Sequence, residues 1–227
     1  MLYIVATPIG NLDDLSVRQA KTLVSSDVIL AEDTRSAQVL ISAIKERFSY
    51  QFKPNLKIVS YYKEKEFEKL HEIIAWLKED KDISLISESG IPLISDPGYL
   101  LVKTAIKQNI PVTVIPGPSA IITGLIYSGF NPKEFMFLGF FPKKESEITR
   151  LINKLIQVKK VFPDILFIFF ESPNRITPTL KLINKLTTVF DVVICRELTK
   201  KFEEIVRGNI RDLTSRNYKG ELTIIMA

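Results

Sequence analysis

The 227-residue chain has one cysteine, Cys195, and one histidine, His71. A lone cysteine excludes an internal disulfide and a cysteine-built zinc site, and its place in the apolar run Val192–Cys195 marks a buried strand residue. His71 falls in the amphipathic stretch 65–80, which puts it on a helix face, so Ser–His–Asp catalysis and a histidine-held metal find no support. Long hydrophobic runs are missing as well. Runs such as Ile165–Phe170 fall far short of the ~20 residues that span a bilayer, and the N-terminus lacks the charged-then-apolar pattern of a secretory signal. A cytoplasmic protein with no membrane partner is expected. The familiar phosphate cradles are also lacking: there is no GxxxxGK[ST], and no GxGxxG follows the first apolar run. Nucleoside triphosphates and dinucleotides in their usual binding modes are disfavoured.

With 46% hydrophobic and 25% charged residues, the chain can bury a sizeable core in one large domain or two small ones. The formal charge is +5, and basic residues gather late, at Lys143-Lys144, Lys159-Lys160, Lys200-Lys201, Arg207, Arg211, Arg216 and Lys219. Such a surplus suits a polyanionic partner, although lysine pairs also serve to solvate helix faces.

Six times a short apolar run breaks into a turn rich in Gly, Pro and charge: LYIVATPIGN, VILAEDTR, ISLISESGIPLISDPG, VTVIPGPSA, LFIFFESPNR and VVICRELTK. Strands are expected at Leu2–Ala6, Val28–Ala31, Lys57–Ser60, Ser84–Ile86 and Val112–Ile115. Helices are expected at Ser16–Ser25, Ser36–Phe48, Glu64–Glu79 and Gly98–Gln108. Parallel crossovers need such helices, so residues 1–115 read as an α/β lobe with a mostly parallel sheet. Pro116-Gly117-Pro118 forms a stiff joint. Beyond it, residues 116–227 read as a second α/β lobe. Its expected elements are a helix at Ser119–Ser128 and strands at Phe135–Leu138, Ile165–Phe170, Val192–Cys195, Glu204–Arg207 and Glu221–Met226. The last two are expected as antiparallel edges of a mixed sheet. Two α/β lobes with a cleft between them is the favoured architecture, and a single continuous sheet is the alternative.

In open α/β sheets ligands bind beyond the carboxyl ends of the strands, so these exits are where chemistry belongs. The exits ATPIGN, ESGIP, SDPG and PGPSA set Gly beside Pro, which lets stiff backbone approach a ligand that carries little phosphate. The others carry acid and base within four residues: Glu32-Asp33 with Arg35, Glu171 with Arg175, and Arg196-Glu197 with Lys200. Such pairs either bind ligand or pin a loop.

Seven ordered segments, YIVATPIGNLDDLS, ILAEDTR, SGIPLISDPGYLLV, VIPGPSA, FLGFFPKK, FFESPNRI and RELTKKFEEIVRG, resemble the ribosomal RNA small subunit methyltransferase I family, a branch of the tetrapyrrole methylase superfamily. The resemblance runs from Leu2 to about Met226. It implies a two-lobed, homodimeric enzyme that uses S-adenosylmethionine to methylate the ribose 2′-hydroxyl of a cytidine in small-subunit ribosomal RNA, free or in the assembled subunit. By the same resemblance the cofactor is held by Pro8, Ile9 and Gly10, by Ser89, Gly90, Ile91 and Ser95, by Ser119 and Ala120, and near Glu171 and Leu198. Glu32 is the implied base and Asp33 the runner-up, while Arg35, Arg175, Arg196 and Lys200 serve phosphates or the developing oxyanion; Arg35 and Lys200 thus join the catalytic set. No metal is implied. Members carry histidines where this chain has Tyr62-Lys63-Glu64 and Asn174, so imidazole chemistry is not expected. Longer members also carry a helical C-terminal extension, and any grip on RNA that it supplies is expected to be either missing here or replaced by the basic Arg207–Lys219 segment. Two other readings are a tetrapyrrole-type small-molecule methylase on the same fold and a non-catalytic RNA-binding protein.

Overall fold

The computed structural model describes all 227 residues, which divide into two compact units, Met1–Ser119 and Ala120–Ala227. In the first unit β1 (Leu2–Val5), β2 (Val28–Ala31), β3 (Lys57–Ser60), β4 (Ile83–Ile86) and β5 (Val112–Ile115) form a wholly parallel sheet of order β3-β2-β4-β1-β5. The crossovers are α1 (Val17–Ser25), α2 (Thr34–Phe48), α3 (Glu66–Lys78) and α4 (Tyr99–Lys107).

Strand alternation explains the two helical layers. Val28 and Leu30 of β2 join a core with Ile73 and Leu77 of α3 and Leu101 of α4. Ile29 and Ala31 join the opposite core with Leu23 of α1 and Leu40 and Ile44 of α2. Strands covered on both faces read as continuous apolar runs, and β2 and β4 are buried throughout.

Local chemistry sets the helix starts. The Ser16 side chain accepts from the Gln19 backbone N–H while Gln19 accepts from the Ser16 N–H, a reciprocal capping box that opens α1. Asp33 caps α2, so this helix begins at Thr34 and not at Ser36 as the pattern predicts. Gly98 opens α4 at φ +126°, and a Cβ there would meet Leu85 at 2.5 Å, so only glycine fits.

In the second unit α5 (Ala120–Ser128) precedes β6 (Phe135–Phe140), α6 (Glu145–Val161), β7 (Leu166–Glu171), α7 (Pro173–Leu186), β8 (Val192–Arg196), β9 (Glu204–Gly208), α8 (Ile210–Leu213) and β10 (Leu222–Met226). The sheet order is β6-β7-β10-β8-β9; β6 and β7 are parallel and the remaining pairs antiparallel, a mixed sheet. The expectation that both final strands lie at edges fails for one of them. β9 is an edge, whereas β10 sits centrally between β7 and β8. All five residues of β10, Leu-Thr-Ile-Ile-Met, are buried, which an edge position would not provide. One face of this sheet packs on α6, α7 and α8 through Ile152, Leu180, Ile183 and Leu213. On α5, Gly124 admits close approach to Thr223 and Ile225 of β10; a Cβ there would lie 3.1 Å from Thr223 and 3.3 Å from Ile225.

Candidate active site

Because every strand of the first sheet is parallel, all five strand exits open on one edge. The helices that follow β1 and β2 pack on one face and those that follow β3 and β4 on the other. Neighbouring β1 and β4 therefore send their chains to opposite faces, as do β4 and β2, which makes this edge a topological switch point of the kind at which such sheets bind ligands.

The exits of β1, β4 and β5 are braced into one rim. The Thr7 N–H donates to the Gly90 carbonyl at 2.8 Å, the hydroxyl of Ser87 donates to the same oxygen at 3.0 Å, and the Ala6 N–H donates to the Ile115 carbonyl. Buried Gln19 donates to the Ala6 carbonyl at 2.8 Å and packs under Gly117, where a Cβ would lie 2.2 Å from its side-chain nitrogen. Gly90 adopts φ +86°, and a Cβ there would meet Ile9 at 3.2 Å and the Pro118 carbonyl at 3.6 Å. The structure thus brings Thr7, Ile9, Gly90 and Pro118 together although they are far apart in sequence, and Pro8, Gly10, Ser89, Ile91 and Ser119 belong to the same three exits. Between Ser87 and Gly98, Leu93 and Ser95 also adopt positive φ, +72° and +74°, without being glycine. Such conformations persist only where their surroundings enforce them, and they concentrate at ligand sites.

Carboxylates line the same edge. Glu32 leaves β2; burial, then the neighbouring charges of Glu88 and Glu64, raise its pKa. Asp96, in the β4 exit, is pushed up to about 6 by burial and by Glu32 and Glu88, with a Ser87 hydrogen bond partly opposing. Sequence reasoning missed Asp96, because Asp before Pro-Gly reads as a turn former. Its neighbours Ser95 and Gly98 carried the only available signal. Glu66, also missed, accepts from the Gly98 and Leu100 N–H groups and anchors the far end of this loop.

Asp33 behaves differently from Glu32. Its carboxylate accepts the Arg35 backbone N–H at 2.7 Å and pairs with the Arg35 guanidinium at 2.6 Å, and the Arg35 hydrogen bond lowers its pKa. Arg35 itself projects into solvent.

In the second unit, Glu171 and Arg196 both face Leu222 across β10, so the exits of β7 and β8 share an edge. Glu171 is buried and accepts from the Ser172 N–H and the Thr179 hydroxyl, and it pairs with Arg175. Arg175 also donates to the Phe141 and Pro142 carbonyls. Arg196 donates to the Lys219 carbonyl and pairs with Glu204. Lys200 pairs with Glu221 at 2.9 Å and Glu197 at 3.3 Å. Burial acts to lower its pKa, but these partners outweigh it and the net shift is upward. Leu198 is buried, and Glu197 and Thr199 beside it adopt positive φ. The cations expected to meet RNA are thus tied to protein acceptors here. In the basic segment Arg207 and Arg216 are tied likewise, Arg207 donating to the Tyr127 carbonyl and Arg216 pairing with Glu204.

The family model for Tetrapyrrole (Corrin/Porphyrin) Methylases matches residues 1–214. Ribosomal RNA small subunit methyltransferase I of Hydrogenobaculum is 41% identical over 233 residues, covering all of this chain and 95% of its own length. The protein of the same name from Thermotoga maritima is 38% identical over 230 residues, covering 100% and 97%. Among solved structures, diphthine synthase aligns with TM-score 0.70 at 12% identity, covering 100% of this chain and 90% of that one. Uroporphyrin III C-methyltransferase from Thermus thermophilus aligns with TM-score 0.61 at 15% identity, covering 99% and 96%, a likeness of fold. A parallel sheet braced at its switch point, a separate mixed sheet and these full-length matches agree: the chain belongs to the tetrapyrrole methylase family and is a methyltransferase.

Proposed function

We propose that this protein transfers the methyl group of S-adenosylmethionine to the ribose 2′-hydroxyl of a cytidine in small-subunit ribosomal RNA, acting as a homodimer in the cytoplasm. The observation that carries the reading is the braced rim of Thr7, Gly90 and Gly117 beside raised carboxylates at Glu32 and Asp96. The printed names of the Hydrogenobaculum and Thermotoga relatives support the ribosomal substrate.

The rim suits this cofactor. Glycine at Gly90 and stiff flanking prolines let backbone groups reach an adenosyl and amino-acid ligand, and no phosphate cradle is needed. Pro8, Ile9, Gly10, Ser89, Gly90, Ile91, Ser95, Ser119 and Ala120 would hold it. The second unit's Glu171 and Leu198 enter the same reading, Glu171 through its backbone because its carboxylate is already engaged. The cofactor supplies a methyl group already activated by its sulfonium. What remains for the protein is to align the ribose oxygen and remove its proton. Glu32 fits the base role better than Asp33: its raised pKa makes it the stronger proton acceptor, whereas Asp33 is held ionised and occupied by Arg35. Asp96 is the second carboxylate able to take a proton near neutral pH.

The test is to incubate the protein with labelled S-adenosylmethionine and unmodified small subunits or their RNA, and to map the modified position. A 2′-O-methylcytidine is the expected product, and label on neither substrate overturns the reading.

A further inference from the structure

The second unit contains a groove of about 390 Å³ where the start of α6 faces the side of α7. Three lysines line it: Lys143 from the β6–α6 loop, and Lys181 and Lys185 from α7. All three are exposed, and none takes part in an ion pair. Glu145 is the sole acid in the lining, and Arg175 within it is already neutralised by Glu171. Lys181 and Lys185 lie four residues apart on a helix that contains no Asp or Glu, an arrangement that is mildly unfavourable without an outside anion. Lys144, the N-cap of α6, makes no side-chain capping bond, and of the two acids in that first turn, Glu145 and Glu147, Glu147 pairs with Lys144 and does not line the groove. The floor is apolar, with Ile148, Pro178 and Leu182 among the lining residues.

A cationic rim over an apolar floor matches a nucleotide, whose charge lies on its phosphates and whose base is a flat, weakly polar surface. We infer that this groove binds a single-stranded segment of the RNA substrate, with phosphates at Lys143, Lys181 and Lys185 and a base against the Pro178–Leu182 side. The inference rests on the RNA reading of the function. It assigns the RNA contact to lysines that lack protein partners, in contrast to Arg175, Arg196 and Lys200.

The test compares wild-type protein, the variant Lys143→Glu/Lys181→Glu/Lys185→Glu and a charge-matched control, Lys21→Glu/Lys78→Glu/Lys107→Glu, whose residues are exposed on α1, α3 and α4. Filter binding to a small-subunit ribosomal RNA transcript is measured between 50 and 300 mM KCl, with cofactor affinity followed by calorimetry. The groove variant should bind RNA at least about 10-fold more weakly, and its log–log salt slope should flatten by about 2, as expected when roughly three single-strand phosphate contacts are lost. The control should retain most of its affinity, and all three proteins should bind S-adenosylmethionine alike. Equal loss in the control, or none in the groove variant, overturns the assignment while leaving the functional reading intact. Wild-type protein that binds cofactor but no RNA overturns both. A groove variant that keeps RNA but loses binding to poly-glutamate assigns the groove to an acidic peptide and overturns the RNA inference.

Discussion

The Thr7 N–H meets the Gly90 carbonyl at 2.8 Å, tying the exit of β1 to that of β4 across the switch point of the parallel sheet. The contact depends on Gly90 holding φ +86° with Ile9 packed against its α-carbon. A methyl group there is doubly disfavoured, by the backbone conformation and by a Cβ 3.2 Å from Ile9. Gly90→Ala should destabilise the protein by about 1–2 kcal/mol. Calorimetry should show cofactor affinity falling about 10-fold while RNA affinity is kept. Unchanged cofactor binding would remove this loop from the cofactor site.

Glu32 and Asp33 are adjacent in sequence but have opposite electrostatics, so their substitutions should separate. Glu32→Gln should lower single-turnover methylation by about 10²-fold or more with RNA and cofactor saturating, the range typical of a lost general base. Asp33→Asn keeps an N-cap oxygen and should leave turnover within a few-fold. Asp33→Ala should cost about 1 kcal/mol of stability through the lost cap of α2. If the two residues exchanged these outcomes, the base assignment would move to Asp33.

Most of the first unit was legible because each of its strands is an apolar run bounded by turn residues and followed by a periodic helix. The second unit was less so. α6 and α7 were not anticipated: Pro173 and Pro178 interrupt the pattern of α7, Pro173 occupying the first helical turn where its missing N–H costs nothing, whereas α6 has no proline and carries a helical spacing at Ile148, Ile152 and Leu155. The central place of β10 was hidden because sequence order says little about order across an antiparallel sheet. At the site, the Gly/Pro exits announced themselves, but Asp96 and Glu66 did not. Their roles come from neighbours that the fold alone supplies: Glu32 and Glu88 for one, the Gly98 and Leu100 amides for the other.

Asp96 should make stability depend on pH in a direction opposite to that of a salt-bridged carboxylate. Its folded-state pKa, about 6, lies above the ordinary value of 3.8, so between these values the native state holds a proton that the unfolded chain releases. The favourable protonated state is fully present below pH 4, and stability is lost as pH rises through 6. Asp96→Asn removes this penalty. In ligand-free protein the variant should match wild type at pH 4 and melt roughly 6–12 °C higher at pH 7.5, equivalent to about 3 kcal/mol for a pKa raised from 3.8 to about 6. Thermal melts at the two pH values check this; a constant offset between the proteins would show that Asp96 does not titrate in this window.

Arg175 is the sharpest case of a cation whose motif suggests ligand binding while its contacts suggest architecture. Its guanidinium joins Glu171 on β7 to the Phe141 and Pro142 carbonyls after β6. Burial raises the pKa of Glu171 even though the Ser172 N–H, Arg175 and Thr179 oppose it, so its ionised form depends on the counter-ion. Arg175→Ala leaves that buried carboxylate uncompensated and should destabilise the protein by about 3 kcal/mol or more at pH 7.5. Since the loss raises the folded-state pKa of Glu171 further, the deficit should shrink as pH falls and Glu171 takes up a proton. Glu171→Gln retains the oxygen facing Thr179 or Arg175 and removes the buried charge, so it should cost less than Arg175→Ala. Denaturant unfolding of both variants at pH 7.5 and 5 measures the difference. A fully stable Arg175→Ala protein with weakened RNA affinity would reverse this reading and return Arg175 to the RNA-binding surface.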